Sequence, residues 1–469
     1  MTTEQLSPLD ATFLELEQAD ETAHMHIGAA LVFDQLPGGG APSLDELRTH
    51  LLERIGALPR YRQRLSEPHT GGLNWPSWET DPDFDIRNHV RRAALPEPTD
   101  DALLEWLGRF WSHRLDRLRP LWETVLVEGL PEGRWALCTK THHCLVDGVG
   151  ATDVGDVLLD ISPEGAAAEN GHPPWTMRDP NERNGHGVLG VPLRVAREGA
   201  GVMRHPGRLV DALRRSVALA ELILKDEVIA APHSSLNRPI GTERRFEVVR
   251  VPLAQLKEIK SGLGGTVNDV VLAAVAGGLR QVLLARGEEP PRQGLRAMVP
   301  VNIRAAGDHL SLGNRITSLF VHLPVAEGDP LGRYRAALEE AESLKRGTQA
   351  VGGSTLIGVA GAAPPVIHSV IARSLFASRL FNVTVTNVPG RQYPLYAFGA
   401  RLREVFPLVP IAAEHAVGIA IFSYDGNVVF GINADRDTMP DVELLRDGIE
   451  DALDSMLALA HTGAALHPA

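Results

Sequence analysis

The chain has 469 residues and a mass of 50.7 kDa, about three times the common 150-residue unit, which excludes a single small module and leaves room for two larger lobes. Its 44% hydrophobic and 22% charged residues exclude disordered and collagen-like classes and predict a soluble protein with a sizeable core. Lys+Arg 46 against Asp+Glu 59 leaves a formal net charge of −13, no field to gather phosphates, so no nucleic-acid partner is expected.

Met1–Glu17 has neither a basic start nor the continuous apolar stretch of an export signal. Cys138 and Cys144 are too few for a disulfide scaffold and have no second Cys pair with which to hold zinc. A reducing cytoplasm is the simplest home. Ser43–Ile55 reads as a helix, with Ser43 at the cap, Glu46 three residues on, and apolar residues at helical spacing. Trp122–Glu128 and Arg134–Thr141 read as strands joined by the turn Pro131-Glu132-Gly133. From Ile161 to Gly187 the composition turns to Pro, Gly, Asn and Glu without periodicity, which reads as an exposed connection.

Val188–Ala231 returns to helix, with Leu209, Leu213, Val217, Ala220 and Leu224 on one stripe and Arg204, Arg208, Arg214 and Arg215 near it. This is a core helix or a membrane-surface one. Strand signals dominate beyond Phe246: FEVVRV, Leu295–Arg304, Ile316–Leu323, Val383–Val388, and a hairpin of Val417–Ser423 and Val428–Ile432 around Asp425-Gly426-Asn427. One helix opens at Thr266 and another closes the chain from Asp441. The most apolar window, Thr355–Ala372, is interrupted by Pro364-Pro365 and falls short of a membrane span. The pattern predicts an α/β (α+β) protein of two lobes without a repeat of fixed period: a first lobe at 1–160, a linker with connecting helices at 161–235, and a second lobe at 236–469.

The sharpest local signal is His142-His143-Cys144-Leu145-Val146-Asp147-Gly148, at the end of a predicted strand. Neighbours on extended chain point to opposite faces, so one of the two histidines faces a given cavity and can serve as a base. An imidazole takes up and returns a proton near neutrality, as the transfer of a group onto a hydroxyl requires. Asp147 can anchor the turn, and Gly148 lets backbone approach a substrate closely. Adjacent histidines do not offer a metal the one-sided spacing it needs, so no metal site is expected. Cys144 reads as packing, because nothing nearby would activate its thiol.

The HHxxxDG motif, with LSPLDATFL (Leu6–Leu14), PLW (Pro120–Trp122), TVNDVVLAAVAGGLR (Thr266–Arg280), PVNIR (Pro300–Arg304), LGNRIT (Leu312–Thr317), TNVPG (Thr386–Gly390) and PLY (Pro394–Tyr396), resembles the bacterial wax ester synthase/acyl-CoA:diacylglycerol acyltransferases from end to end. That resemblance implies two chloramphenicol-acetyltransferase-like lobes with an active-site tunnel between them. It implies acyl-CoA as co-substrate, no bound cofactor, and diacylglycerol or a long-chain alcohol as acceptor. His143 would be the general base in a direct ternary-complex transfer, His142 its neighbour in the motif, and Asp147 a structural residue.

Asn268 and Asp269, at a predicted helix start, read as capping or as site contacts. Pro120, Leu121 and Trp122 read as packing that shapes the tunnel. Such substrates live in membranes, so association with a membrane or lipid-body surface is expected. Val366–Leu380, with Arg373 and Arg379, is a candidate docking helix, or else an ordinary core helix. The rival readings are a relative with another hydroxyl acceptor or a carrier-protein donor, and a non-catalytic lipid-binding protein. The intact motif opposes the last.

Overall fold

The structure, a computed structural model, describes residues 4–66, 75–146, 155, 157–165, 231–302, 316–346 and 380–462. The first half is built from β1 (Glu4–Gln5), α1 (Pro8–Ala19), β2 (His26–Phe33), α2 (Leu44–Ile55), β3 (Gln63–Leu65), β4 (Ser77–Thr80), β5 (Val90–Ala94), α3 (Asp100–Ser112), β6 (Trp122–Glu128) and β7 (Trp135–His142). The second half is built from β8 (Arg244–Pro252), α4 (Leu253–Leu263), α5 (Val267–Ala285), β9 (Leu295–Asn302), β10 (Ile316–Leu323), α6 (Pro330–Arg346), β11 (Val383–Pro389), β12 (Tyr396–Ala397), β13 (Ala400–Leu408), β14 (Val417–Tyr424), β15 (Asn427–Asp435) and α7 (Val442–His461).

Several local signals act as their chemistry dictates. Ser43 and Glu46 form a reciprocal capping box at the start of α2. The hairpin of β14 and β15 turns on Asp425 (φ 44) and Gly426 (φ 81), two left-handed residues whose twist matches that of the flanking strands. The strand expected at Trp122–Glu128 is β6 itself, and the next is shifted by one residue, to Trp135–His142. The helix expected at 188–231 and the docking candidate up to residue 379 lie outside the described residues, as do Arg304 and most of the expected 161–235 linker.

Two six-stranded sheets carry the fold, ordered β12-β13-β2-β7-β6-β5 and β10-β9-β11-β14-β15-β8. A small three-stranded sheet, β1-β4-β3, flanks the first. The expected division at 236–469 is corrected in one respect: residues 396–408, late in the chain, belong to the first sheet. There β13 pairs antiparallel with β2, from Leu408 against Gly28 to Leu402 against Phe33. Strand partners are chosen by long-range hydrogen bonding, which local periodicity does not encode.

The side chains of β7 alternate between two cores. Trp135 and Leu137 face a cluster with Leu47 and Leu51 of α2, whereas Ala136 and Cys138 face Leu103, Leu107 and Trp111 of α3 together with Phe246 and Val248 of β8. Helix α3 therefore packs against both sheets. At Gly108 a Cβ would sit 2.7 Å from the Arg244 carbonyl oxygen, so the helix meets β8 with no room for a side chain. The sheets also meet at Gly431, where a Cβ would lie 2.0 Å from the Pro407 carbonyl oxygen.

The core of the second half surrounds α5, which packs against α7 through Gly277, Gly278, Ile449 and Ala452. Helix α5 is long and apolar enough, by length and composition, to cross a membrane. Its Val270–Leu279 run is buried in protein, so its apolarity is that of a core helix.

Candidate active site

Strand β7 lies between β2 and β6 and delivers the histidine pair at its end. The His142 N–H donates to the Leu121 carbonyl (2.9 Å), and the His143 N–H donates to the Met25 carbonyl (2.8 Å). Successive amides on extended chain point in opposite directions, so each histidine is pinned from a different side. The chain then turns: the Leu145 N–H returns to the His142 carbonyl (2.9 Å), and the Cys144 N–H reaches His142 Nδ1 (3.1 Å).

That last bond sets the tautomer. Nδ1 of His142 accepts, so Nε2 carries the proton and donates it to Glu17 Oε2 at 2.9 Å. Both ring nitrogens of His142 are thereby committed, and the ring is fully buried. His143 is 9% exposed and lies flat on Phe13, with ring centroids 4.0 Å apart and planes 5° from parallel. Phe13 and Glu17 are one helical turn apart on α1, so a single helix face seats both histidines.

Glu17 is the hub of this cluster. Its Oε1 accepts from Arg114 Nε (3.3 Å) and lies 3.5 Å from His26 Nε2, and its carbonyl accepts from the Arg114 guanidinium at 2.5 Å. Burial pushes the carboxyl up, but the His142 hydrogen bond, the neighbouring imidazoles and the Arg114 charge outweigh it and hold Glu17 at about 2. Burial likewise holds His26 well below the ordinary histidine range and brings His24 down to about 4. The site is thus a buried carboxylate with Arg114 beside it and the rings of His142 and His26 against it.

Two further residues brace it. Lys140 is fully buried, with its ammonium 2.7 Å from Glu123 Oε1. It donates to the Phe110 (2.9 Å) and His113 (2.7 Å) carbonyls, closing the C-terminal end of α3 with positive charge. Arg244 of β8, 2% exposed on its side chain, donates to the Thr22 carbonyl two residues before His24 and lies 3.5 Å from Asp435, which ties the second sheet to this corner of the first.

Pro120, Leu121 and Trp122 are all buried. The Leu121 carbonyl holds His142, while Trp122 Nε1 donates to the Tyr61 carbonyl (2.7 Å) and its ring stacks on His89 with centroids 4.6 Å apart. Asp269 is absorbed by a capping box: its Oδ2 accepts from the Thr266 N–H and hydroxyl, both at 2.7 Å. Asn268 Oδ1 meets Asn387 Nδ2 at 3.4 Å. Among the described residues no hydrogen bond joins this pair to the histidines. Asp147 and Gly148 lie outside the described residues. A small cavity of about 20 Å³ lies between α2 and the first sheet, with Leu51, Leu137, Thr139 and Phe398 in its lining, and neither motif histidine faces it.

Sequence reading missed Glu17, Arg114, His26, Lys140 and Phe13. Phe13 sits inside the Leu6–Leu14 stretch and Glu17 just past it. His24 and His26 are closely spaced in the sequence, but nothing local in that spacing names Glu17 or His142 as their neighbours.

The profile of the wax ester synthase/diacylglycerol acyltransferase catalytic domain matches residues 6–271, and that of the C-terminal domain of the same family matches residues 312–457. The chain belongs to the wax ester synthase/diacylglycerol acyltransferase family. It is 35% identical over 458 residues to a Mycobacterium tuberculosis protein named probable diacylglycerol O-acyltransferase tgs1, covering 97% of this chain and 96% of that one. It is 32% identical over 463 residues to a second from that species, tgs2, covering 96% and 98%.

The solved wax ester synthase/diacylglycerol acyltransferase of Marinobacter aquaeolei VT8 superposes with a TM-score of 0.70 at 28% identity, over 97% of this chain and 100% of that one. The first condensation domain of the CDA synthetase shares the fold, with a TM-score of 0.60 at 15% identity over 98% of this chain and 97% of that one. The protein is an acyltransferase with the paired-lobe architecture of these families.

Proposed function

We propose that the enzyme transfers a long-chain acyl group from acyl-CoA to the free hydroxyl of diacylglycerol or of a long-chain alcohol, with His143 as general base. The observation that carries this reading is the commitment of both His142 nitrogens, one to the Cys144 N–H and one to Glu17. His142 has no lone pair left with which to take a proton, so the base role falls to its neighbour, held flat against Phe13.

His143 draws the proton from the acceptor hydroxyl as its oxygen bonds to the thioester carbonyl carbon. The tetrahedral intermediate then breaks its carbon–sulfur bond, and the imidazolium returns the proton to the CoA thiolate. No acyl-enzyme forms and no net proton is released. Glu17 works at one remove, since it holds His142 and with it the turn that aims His143. The names of the mycobacterial relatives favour diacylglycerol as acceptor, and that of the Marinobacter enzyme admits alcohols as well. Lipid acceptors place the enzyme on the cytoplasmic side of a membrane or on a lipid-body surface.

The test is CoA release by purified protein with palmitoyl-CoA, offered diacylglycerol and hexadecanol separately, beside His143→Ala. Acceptor-dependent release that the variant loses supports the reading. Equal background release by both proteins refutes it.

A further inference from the structure

We propose that the loop His113–Arg119, between α3 and β6, docks the enzyme on an anionic phospholipid surface by inserting Leu118 among the headgroups. Leu118 is 75% exposed, the most exposed large hydrophobic side chain among the described residues. A lone exposed leucine needs no explanation by itself. This one sits in His-Arg-Leu-Asp-Arg-Leu-Arg, whose three arginines face two carboxylates, Asp116 in the loop and Glu17 beside it, and leave a net positive segment in a chain whose net charge is −13. A cationic segment on an acidic protein is drawn to an anionic bilayer with a chosen face, because the remaining surface is repelled.

The loop is also held in shape. Asp116 Oδ1 accepts the Leu118 N–H (2.9 Å), its carbonyl accepts the Arg119 N–H (3.3 Å), and its Oδ2 lies 3.1 Å from Arg119 Nε. The Gln18 side-chain amide lies 2.9 and 3.1 Å from two nitrogens of the Arg117 guanidinium, and Arg114 is clamped to Glu17. Leu118 is therefore presented by a braced turn, so little ordering is required on insertion. The same clamp connects the loop to the motif: Arg114 and His142 share Glu17, and the loop runs directly into Pro120–Trp122. A surface seated there brings the lipid acceptor to the corner of the protein that holds the histidines.

This inference rests on the proposed lipid acceptor, and its test reads binding apart from catalysis. Wild type, Leu118→Asp and Arg119→Gln are sedimented with vesicles of phosphatidylcholine alone and of phosphatidylcholine with phosphatidylglycerol. Wild type is expected to pellet with the anionic vesicles and to be released by salt, and Leu118→Asp to bind about tenfold more weakly. Both variants should keep wild-type KM and kcat with a short-chain acyl-CoA and a water-soluble alcohol, and lose turnover on vesicle-borne diacylglycerol. Unchanged sedimentation of Leu118→Asp would overturn the proposal. So would a raised KM for acyl-CoA in solution without a change in sedimentation, which would make the loop a contact for CoA phosphates. Failure of the transferase reading would show separately, as absent turnover by wild type.

Discussion

Glu17 and His142, 125 residues apart, meet at 2.9 Å between Oε2 and Nε2, with both side chains 2% exposed or less. The contact joins the first helix to the last residue of β7, so the geometry of the motif depends on a carboxylate outside it. Glu17→Gln keeps the side-chain shape and an acceptor oxygen but removes the charge. Acyl transfer should fall about 10- to 100-fold, by analogy with the loss of outer-shell partners elsewhere, with the fall in kcat and KM near wild type. Steady-state kinetics beside a thermal melt check this; a variant with full kcat would remove Glu17 from the positioning of the motif.

Acid stability should follow the buried histidines before the carboxylate. His24 is held at about 4 against an ordinary 6.5, so between those values the unfolded chain binds more protons than the folded one. His415, also near 4 through burial, acts in the same direction. Stability is therefore fully present above pH 6.5 and falls as pH drops toward 4, by on the order of 2–3 kcal/mol per histidine. Glu17, lowered from 4.5 to about 2, adds its loss only below pH 4.5. Urea midpoints measured from pH 7.5 to 4 should decline, and His24→Asn should flatten that slope.

Lys140→Met should destabilise the fold by about 1–3 kcal/mol, since it leaves two α3 carbonyls without their donor and the Glu123 carboxylate with Arg91 as its remaining partner. Equilibrium unfolding measures this. A loss under 1 kcal/mol would mean that the end of α3 is held by its packing alone.

Asp269→Ala distinguishes capping from chemistry. Loss of the Thr266–Asp269 box should cost about 1–2 kcal/mol of stability and leave kcat within about threefold of wild type. A large loss of kcat at unchanged stability would place Asp269 in contact with the reacting groups.

Gly431→Ala probes the junction of the two sheets. Its Cβ would lie 2.0 Å from the Pro407 carbonyl oxygen, a backbone atom that cannot rotate away. A loss of about 1–3 kcal/mol or more is expected, read as a drop in melting temperature without a change in the denaturant slope.

Where a signal is local, the sequence was enough. Ser43 with Glu46 and Thr266 with Asp269 announce their helices, because a cap needs only residues three apart. The strand ending in two histidines is legible from its own alternation, and HHxxxDG with the matching stretches along the chain carried the family. Which strands neighbour one another, and which side chains close on the motif, had to come from the assembled protein. β13 enters the first sheet beside β2, Lys140 of β7 caps α3, and Glu17 of α1 holds His142. Each of these bonds joins groups distant along the chain, and a lone glutamate, lysine or short apolar strand has the same local pattern whether it lies on the surface or in the core. The sequence by itself determined the chemistry on offer, two histidines at a strand end; the tertiary structure decided what the two ring nitrogens of His142 bind, because a buried imidazole's tautomer is set by the partners that folding brings to it.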